Sequence, residues 1–132
     1  MFLATFAHAD CAKFAGDFVT ELSCQGLSPH TGLQIQNLTD DLVLRYDLSA
    51  RHPPPTQHYM ADGATHSGDG VGNGDSYSAE CNGDVLKIRR VFHDFKYPIV
   101  DEITLKDGGL DYVETYEGRD GATVCRFERA RP

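Results

Sequence analysis

From Asp75 to Glu117 the chain reads DSYSAECNGDVLKIRRVFHDFKYPIVDEITLKDGGLDYVETYE. Apolar and polar residues alternate along it, and turns break it at Asn82-Gly83 and Asp107-Gly108-Gly109. A third turn signal, Arg119-Asp120-Gly121, follows just beyond. Alternation bounded by such turns specifies sequential antiparallel hairpins. The predicted strands are 75–81, 84–92, 98–106 and 110–117, with a last one over 122–129.

Side chains alternate faces along a strand, so residues opposed across a hairpin share a face. A two-residue Asn82-Gly83 turn opposes Cys81 to Asp84, Ala79 to Leu86, Tyr77 to Ile88 and Asp75 to Arg90. Matching the apolar faces of the next pair opposes Leu86 to Leu105, Ile88 to Ile103, Arg90 to Asp101 and Phe92 to Ile99. Across Asp107-Gly108-Gly109, Leu105 opposes Leu110, Ile103 opposes Tyr112, Asp101 opposes Glu114 and Ile99 opposes Tyr116. Asp75, Arg90, Asp101 and Glu114 therefore fall in one row on the apolar face. The other face, which includes Lys87, Arg89, Val100, Glu102 and Asp111, reads as solvated.

A charged row inside an apolar face is costly unless it is paired or wet. One arginine among three carboxylates leaves excess negative charge, which favours a raised carboxyl pKa. Three readings stay open. The row lines a hydrated binding cavity, forms an internally satisfied network, or is dissolved by a bulge at Arg89-Arg90 that turns the arginine outward.

Working outward, residues 14–22 form a first strand, 33–37 and 42–48 alternate, and 57–61 is a short strand. Pro53-Pro54-Pro55 lacks amide donors and marks an exposed connection. Residues 62–74 read as a glycine-rich loop. In an EF-hand frame this loop offers Asp69, Asn73, Asp75 and Glu80, but Val71 supplies no side-chain oxygen and the flanking helices are missing. A mobile loop over a barrel mouth is the better reading.

The sum is eight or nine sequential antiparallel strands without a helix. Such a meander closes most economically into an up-and-down β-barrel, which removes the exposed edges. A two-sheet sandwich is the alternative.

At 132 residues and 40% hydrophobic content, one domain with a modest core is expected. A net charge of −8 argues against nucleic acid and against anionic membrane surfaces. No apolar run spans a bilayer. Residues 1–9 are apolar and end in Ala7-His8-Ala9, which fits a signal-peptidase site. They read as the remnant of an export signal, with the mature domain over 10–132 and a secreted or periplasmic location.

The even cysteine count (Cys11, Cys24, Cys81, Cys125) favours disulfides there. Three connectivities are possible. Cys11–Cys24 with Cys81–Cys125 is preferred, provided the chain bends near Gly16. The six histidines show no metal-ligand spacing, and no nucleophile–base, phosphate-loop or dinucleotide motif occurs. Neither an enzyme nor a cofactor is expected.

Phe14-Ala15-Gly16-Asp17-Phe18 resembles the lipocalin G-x-W element, with Gly16 and Phe18 in the Gly and Trp places. Cys125-Arg126-Phe127-Glu128-Arg129 carries arginines where lipocalin-like barrels often place one over that aromatic. The resemblance implies a calycin-type barrel, lipocalin-like or avidin-like, that binds a small, mostly apolar or amphipathic ligand. Tyr77, Tyr112 and Tyr116 would be its walls, and Arg90, Asp101, Glu114 and Asp75 its polar anchor. The alternative is a structural or protein-interaction domain, such as an exported inhibitor, with a filled core.

Overall fold

The computed structural model describes residues 11–20, 32–38, 41–46 and 54–131. Residues 1–9, where an export signal is expected, Cys24, and the triple-proline segment up to Pro53 lie outside the described residues.

Among the described residues, one 3-10 turn, Ala12–Phe14, precedes a run of antiparallel strands. The strands are β1 (Gly16–Val19), β2 (Gly32–Asn37), β3 (Leu42–Tyr46), β4 (Gln57–Tyr59) and β5 (Asp62–Ser67). They continue as β6 (Ser76–Asn82), β7 (Val85–Val91), β8 (Ile99–Lys106), β9 (Gly109–Tyr116) and β10 (Arg119–Arg129). They form one ten-stranded sheet in the order β4-β3-β2-β1-β10-β9-β8-β7-β6-β5, which curls into a half-barrel. The expected closed barrel of eight or nine strands is thus replaced by a ten-stranded sheet whose two edges, β4 and β5, are consecutive in sequence but are not hydrogen-bonded neighbours. The extra strand is β5, read from sequence as loop. Its residues are mostly exposed and lack apolar alternation, so no periodicity announces it.

The segment between β5 and β6 bridges the two edges. Asn73 donates through Nδ2 to the His58 carbonyl oxygen on β4, and the Asp75 amide donates to the Val91 carbonyl oxygen on β7. Asp69 Oδ1 accepts from the Val71 and Gly72 amides, and Asn73 Oδ1 accepts from the Asp69 amide. Asp69 and Asn73 are used inside the turn, not presented as cation ligands. Gly72, Asn73 and Gly74 are buried. This is an internally bonded seam, and the first part of the expected loop, Asp62–Ser67, is strand.

The register shows where turn chemistry was legible. Between β8 and β9, Leu105 opposes Leu110, Ile103 opposes Tyr112, Asp101 opposes Glu114 and Ile99 opposes Tyr116, as the sequence predicts. Asp107 and Gly108 form the two-residue turn, with φ of 51° and 78°. Positive φ at both central positions is what a type I′ hairpin needs. Between β6 and β7 the turn residues are instead Gly83 and Asp84, because Asn82 pairs with Val85. The pairing therefore slips by two residues: Cys81 opposes Leu86, Ala79 opposes Ile88, and Tyr77 opposes Arg90. The β7–β8 register slips likewise, with Leu86 opposite Ile103, Ile88 opposite Asp101 and Arg90 opposite Ile99. Phe92 consequently leaves the strand. A slip of two keeps every side chain on its predicted face, since the strand period is two. At β10 the turn is Glu117-Gly118, and the Asp120-Gly121 signal becomes a bulge within the strand.

The concave face carries the core: Phe14, Phe18, Leu33, Ile35, Leu44, Tyr59, Leu86, Ile88, Ile103, Leu110 and Phe127 are all buried. Burial of each large side chain contributes about 1.5–3 kcal/mol. Val100, expected on a solvated face, is buried as well. Arg129 lies over the Phe18 ring, 4.8 Å from its centroid, and donates through Nη1 to the Ala15 carbonyl oxygen at 2.9 Å. A Cβ on Gly16 would come within 2.4 Å of Arg129 Nη1, and Gly16 has φ of 151°. Glycine is the residue that lets the arginine close over the aromatic ring there. The arginine-over-aromatic arrangement expected from the lipocalin resemblance is formed by these residues.

The disulfide pairing differs from the preferred one. Cys11 bonds to Cys81, with the Cα atoms 5.3 Å apart. Cys125 is also disulfide-bonded, and no described cysteine is free. The 3-10 turn after Cys11 tucks the N-terminal segment under the sheet, where Cys81 faces inward on β6. Local spacing could not reveal that long-range approach. The bridge spans 70 residues, and its removal in the Cys11→Ser/Cys81→Ser variant should lower stability by about 2–5 kcal/mol. Non-reducing peptide mapping should recover a Cys11–Cys81 linked pair; a Cys11–Cys24 pair would contradict the fold.

Candidate functional site

The polar row survives on the concave face in altered form. Arg90 on β7, Asp101 on β8 and Glu114 on β9 meet inside the sheet. Arg90 Nη2 donates to Asp101 Oδ2 at 3.1 Å and to Glu114 Oε2 at 3.3 Å, and Nη1 donates to the Gly72 carbonyl oxygen at 3.3 Å. The register slip places Arg90 diagonal to Asp101, not directly opposite. A long side chain spans that diagonal. β7 carries no bulge, so Arg89 points outward to Glu117 while Arg90 points inward.

Asp75 is not part of the row. It lies on the surface, where its Oδ2 accepts from the His93 amide and pairs with the His93 ring. The slip puts Tyr77 where Asp75 was expected, opposite Arg90. The His93 contacts hold the Asp75 carboxyl below its ordinary pKa, and the Asp75 carboxylate raises that of His93.

The three remaining groups are largely buried. Their side chains are 11%, 1% and 8% exposed for Arg90, Asp101 and Glu114. Tyrosines surround them. The Tyr46 and Tyr112 hydroxyls are 3.0 Å apart, Tyr59 donates to Gln57 Oε1, and the Tyr77 hydroxyl accepts from the Met60 amide. Of the three predicted wall residues, Tyr77 and Tyr112 are thus committed to the core. Only Tyr116, which donates to Glu114 Oε1 at 3.4 Å, reaches the rim. Sequence reasoning missed Tyr46, Tyr59 and Gln57, because the first half of the chain has no turn signal that fixes its register against the second.

Burial pushes the Asp101 carboxyl well above its usual pKa; Arg90 opposes this shift, and Glu114 adds to it. Burial likewise works against the Arg90 charge, but the Asp101 carboxylate and nearby tyrosines hold its pKa above the usual value. Burial raises Tyr46, Tyr59 and Tyr112. Arg90 is thus the cluster's shared cation between two buried carboxyls.

Two of its atoms remain unsatisfied: Arg90 Nε and Asp101 Oδ1 are buried without a hydrogen-bond partner. Hydrogen bonding with Glu114 raises the Asp101 pKa further, and hydrogen bonding with Tyr112 lowers it. Above the cluster, the rim is aromatic. The Arg90 guanidinium lies 5.9 Å from the Phe92 ring centroid, Phe95 packs edge-on against Tyr116 at 5.7 Å, and Phe95 is 37% exposed.

Elsewhere the described surface offers little comparable. An open depression of about 430 Å³ lies among Lys106, Asp107, Asp111, Arg126 and Glu128. Its charges are already paired, Arg126 with Asp111 and Glu128. Among the described residues no His, Cys, Asp and Glu side chains gather as a metal site, and no helix is long and apolar enough to cross a membrane. Comparison of the chain with family models, curated proteins and solved structures gives no match.

Removing Arg90 would strand two buried carboxyls. Arg90→Ala should destabilise the domain by about 3–5 kcal/mol in chemical denaturation, the cost of breaking a buried pair. A loss near 0–1 kcal/mol, as for exposed pairs, would mean that the cluster is wet.

The raised Asp101 pKa makes a second, signed prediction. Between its ordinary value of 3.8 and its folded value, the native state binds the extra proton. Stability therefore falls as pH rises through that window. Asp62, Asp75, Glu117 and Glu128 are shifted downward and work in the opposite direction. The difference between wild type and Asp101→Asn isolates the Asp101 contribution. An asparagine amide cannot ionise, so the variant should gain relative stability as pH rises above about 4. A pH-independent difference would contradict the assigned protonation.

Proposed function

We propose that this chain is an exported, lipocalin-like small-molecule binding protein. Its ligand enters at the aromatic rim and is anchored by Arg90, Asp101 and Glu114. The observation that carries the reading is a buried donor and a buried acceptor, both unsatisfied, beneath a partly exposed aromatic rim. Buried polar atoms are almost always paired, so an unpaired couple at one end of a core calls for a partner. The interior farther from this end is filled by side chains, which supports a ligand held at the rim rather than in a deep central cavity. The Cys11–Cys81 bridge suits an oxidising compartment, which supports a location at the cell exterior or in the periplasm. The reading involves no catalysis, cofactor, nucleic acid or membrane insertion.

A second reading is a structural or protein-interaction domain with a filled core. The specific observation in its favour is packing: Phe14, Phe18, Tyr59, Leu86, Ile103 and Phe127 are at most 1% exposed. Small barrels occur both filled and ligand-bearing. Native mass spectrometry on protein purified from its source separates the two. The binding reading expects a co-purifying small-molecule mass that disappears on denaturation and is missing from Arg90→Ala. A single bare mass from source material would favour the filled domain.

A further inference from the structure

We infer that residues 68–74 form a hinged strap at the Arg90 end of the core, latched by the Asn73 side chain and able to open while the sheet stays folded. The strap operates with or without a ligand, and so goes beyond the binding reading. Its opening frees one of the groups that Arg90 holds.

The segment Gly68-Asp69-Gly70-Val71-Gly72-Asn73-Gly74 is built as one body. Asp69 Oδ1 accepts from the Val71 amide at 2.8 Å and from the Gly72 amide at 3.0 Å. The Gly70 amide donates to the Gly74 carbonyl oxygen at 2.9 Å, and Asn73 Oδ1 accepts from the Asp69 amide at 2.7 Å. The hold of this body on its surroundings is slight. Among the described residues, two hydrogen bonds leave it away from its base. Asn73 Nδ2 donates to the His58 carbonyl oxygen at 2.8 Å, and the Gly72 carbonyl oxygen accepts from Arg90 Nη1 at 3.3 Å. The second is long for an N–H···O bond. No apolar anchor backs them, because Val71 is the strap's one apolar side chain and is 62% exposed. Releasing such a segment forfeits little buried apolar surface, which is the condition for local opening.

The base is fixed more firmly. The Gly68 amide donates to the Asp75 carbonyl oxygen, the Asp75 amide donates to the Val91 carbonyl oxygen, and Asp75 Oδ2 accepts from His93. Gly68 and Gly74 meet there. A Cβ on Gly68 would collide with the Gly74 carbonyl oxygen, and Gly74 has φ of 83°. Both positions need glycine, and the backbone freedom of the pair makes it the hinge.

Asn73 is the latch because its amide works in both directions. Oδ1 faces an N–H and Nδ2 faces a carbonyl, so one orientation of the amide satisfies both. Aspartate at this position would keep the acceptor, lose the donor and set a carboxylate oxygen against the His58 carbonyl. Asn73 is 6% exposed, so water does not replace the lost bond while the strap is shut.

Native-state hydrogen exchange, followed by NMR at low denaturant concentrations, tests the strap in the wild-type chain. The Asn73 side-chain amide hydrogens should be at least about tenfold less protected than the Ile103 and Tyr112 backbone amides of the β8–β9 pairing. Denaturant below the unfolding transition should leave their exchange unchanged, since local opening exposes little surface. Asn73→Asp should keep the β8–β9 signals in place while the signals of residues 69–74 broaden through exchange on the μs–ms timescale. Asn73 hydrogens that match the β8–β9 amides in protection and in denaturant dependence would mean that only global unfolding releases the strap, and would overturn the inference. An Asn73→Asp protein whose strap signals stay sharp and unshifted would overturn it too. The wild-type measurement needs no substitution, so it decides the matter even if the variant does not fold. Either failure leaves the binding reading to its own co-purification test.

Discussion

Three strands are tied through one buried arginine. Arg90 on β7 reaches Asp101 on β8 and Glu114 on β9, and also holds the Gly72 carbonyl oxygen of the segment between β5 and β6. That segment in turn reaches the far edge of the sheet at His58. A single side chain therefore links the middle of the sheet to the seam where its two edges approach. Losing it would expose the cost of two buried carboxyls and loosen the seam at once. An isolated buried charge is among the most expensive features a core can contain. Partnering of Arg90 with Asp101 and Glu114 within the cluster is what makes it tolerable.

The surrounding packing follows from that constraint. Tyrosines are well suited to border such a cluster, because each combines a large apolar ring with one hydroxyl. Tyr46, Tyr59, Tyr77 and Tyr112 place their rings in the core and direct their hydroxyls to one another or to nearby polar groups. The opposite end of the core is held differently, by Arg129 over Phe18 and by the Cys11–Cys81 bridge. The molecule thus has one end closed by a stack and a covalent link, and another where two polar atoms remain unsatisfied beneath an aromatic rim. This asymmetry gives the ligand-binding reading its location.

Much of this was legible in local sequence. The Asp107-Gly108 turn fixed the β8–β9 register to the residue, and so placed Asp101 opposite Glu114. Facing was recoverable even where the register was not. Gly83-Asp84 took the turn instead of Asn82-Gly83, but a slip of two leaves inward residues inward. The same slip removed Asp75 from the row, since membership depends on position along the strand as well as on face. The Cys11–Cys81 bridge, the Tyr46–Tyr112 contact and the edge-spanning seam were illegible for a common reason. Each joins segments far apart in the chain, and no turn transmits register between them. β5 was missed because Asp62, Gly63, Ala64, Thr65, His66 and Ser67 present no apolar face to read.

The central claim is that burial within the Arg90 cluster holds the Asp101 carboxyl pKa well above its ordinary value. Site-resolved 13C NMR titration of the aspartate side-chain carboxyls tests it directly. The account predicts that the Asp101 signal stays in its protonated position well after the exposed aspartates have ionised, and that in Arg90→Ala it titrates higher still. An Asp101 signal that moves together with the exposed aspartates, near the ordinary carboxyl pKa, would contradict the account.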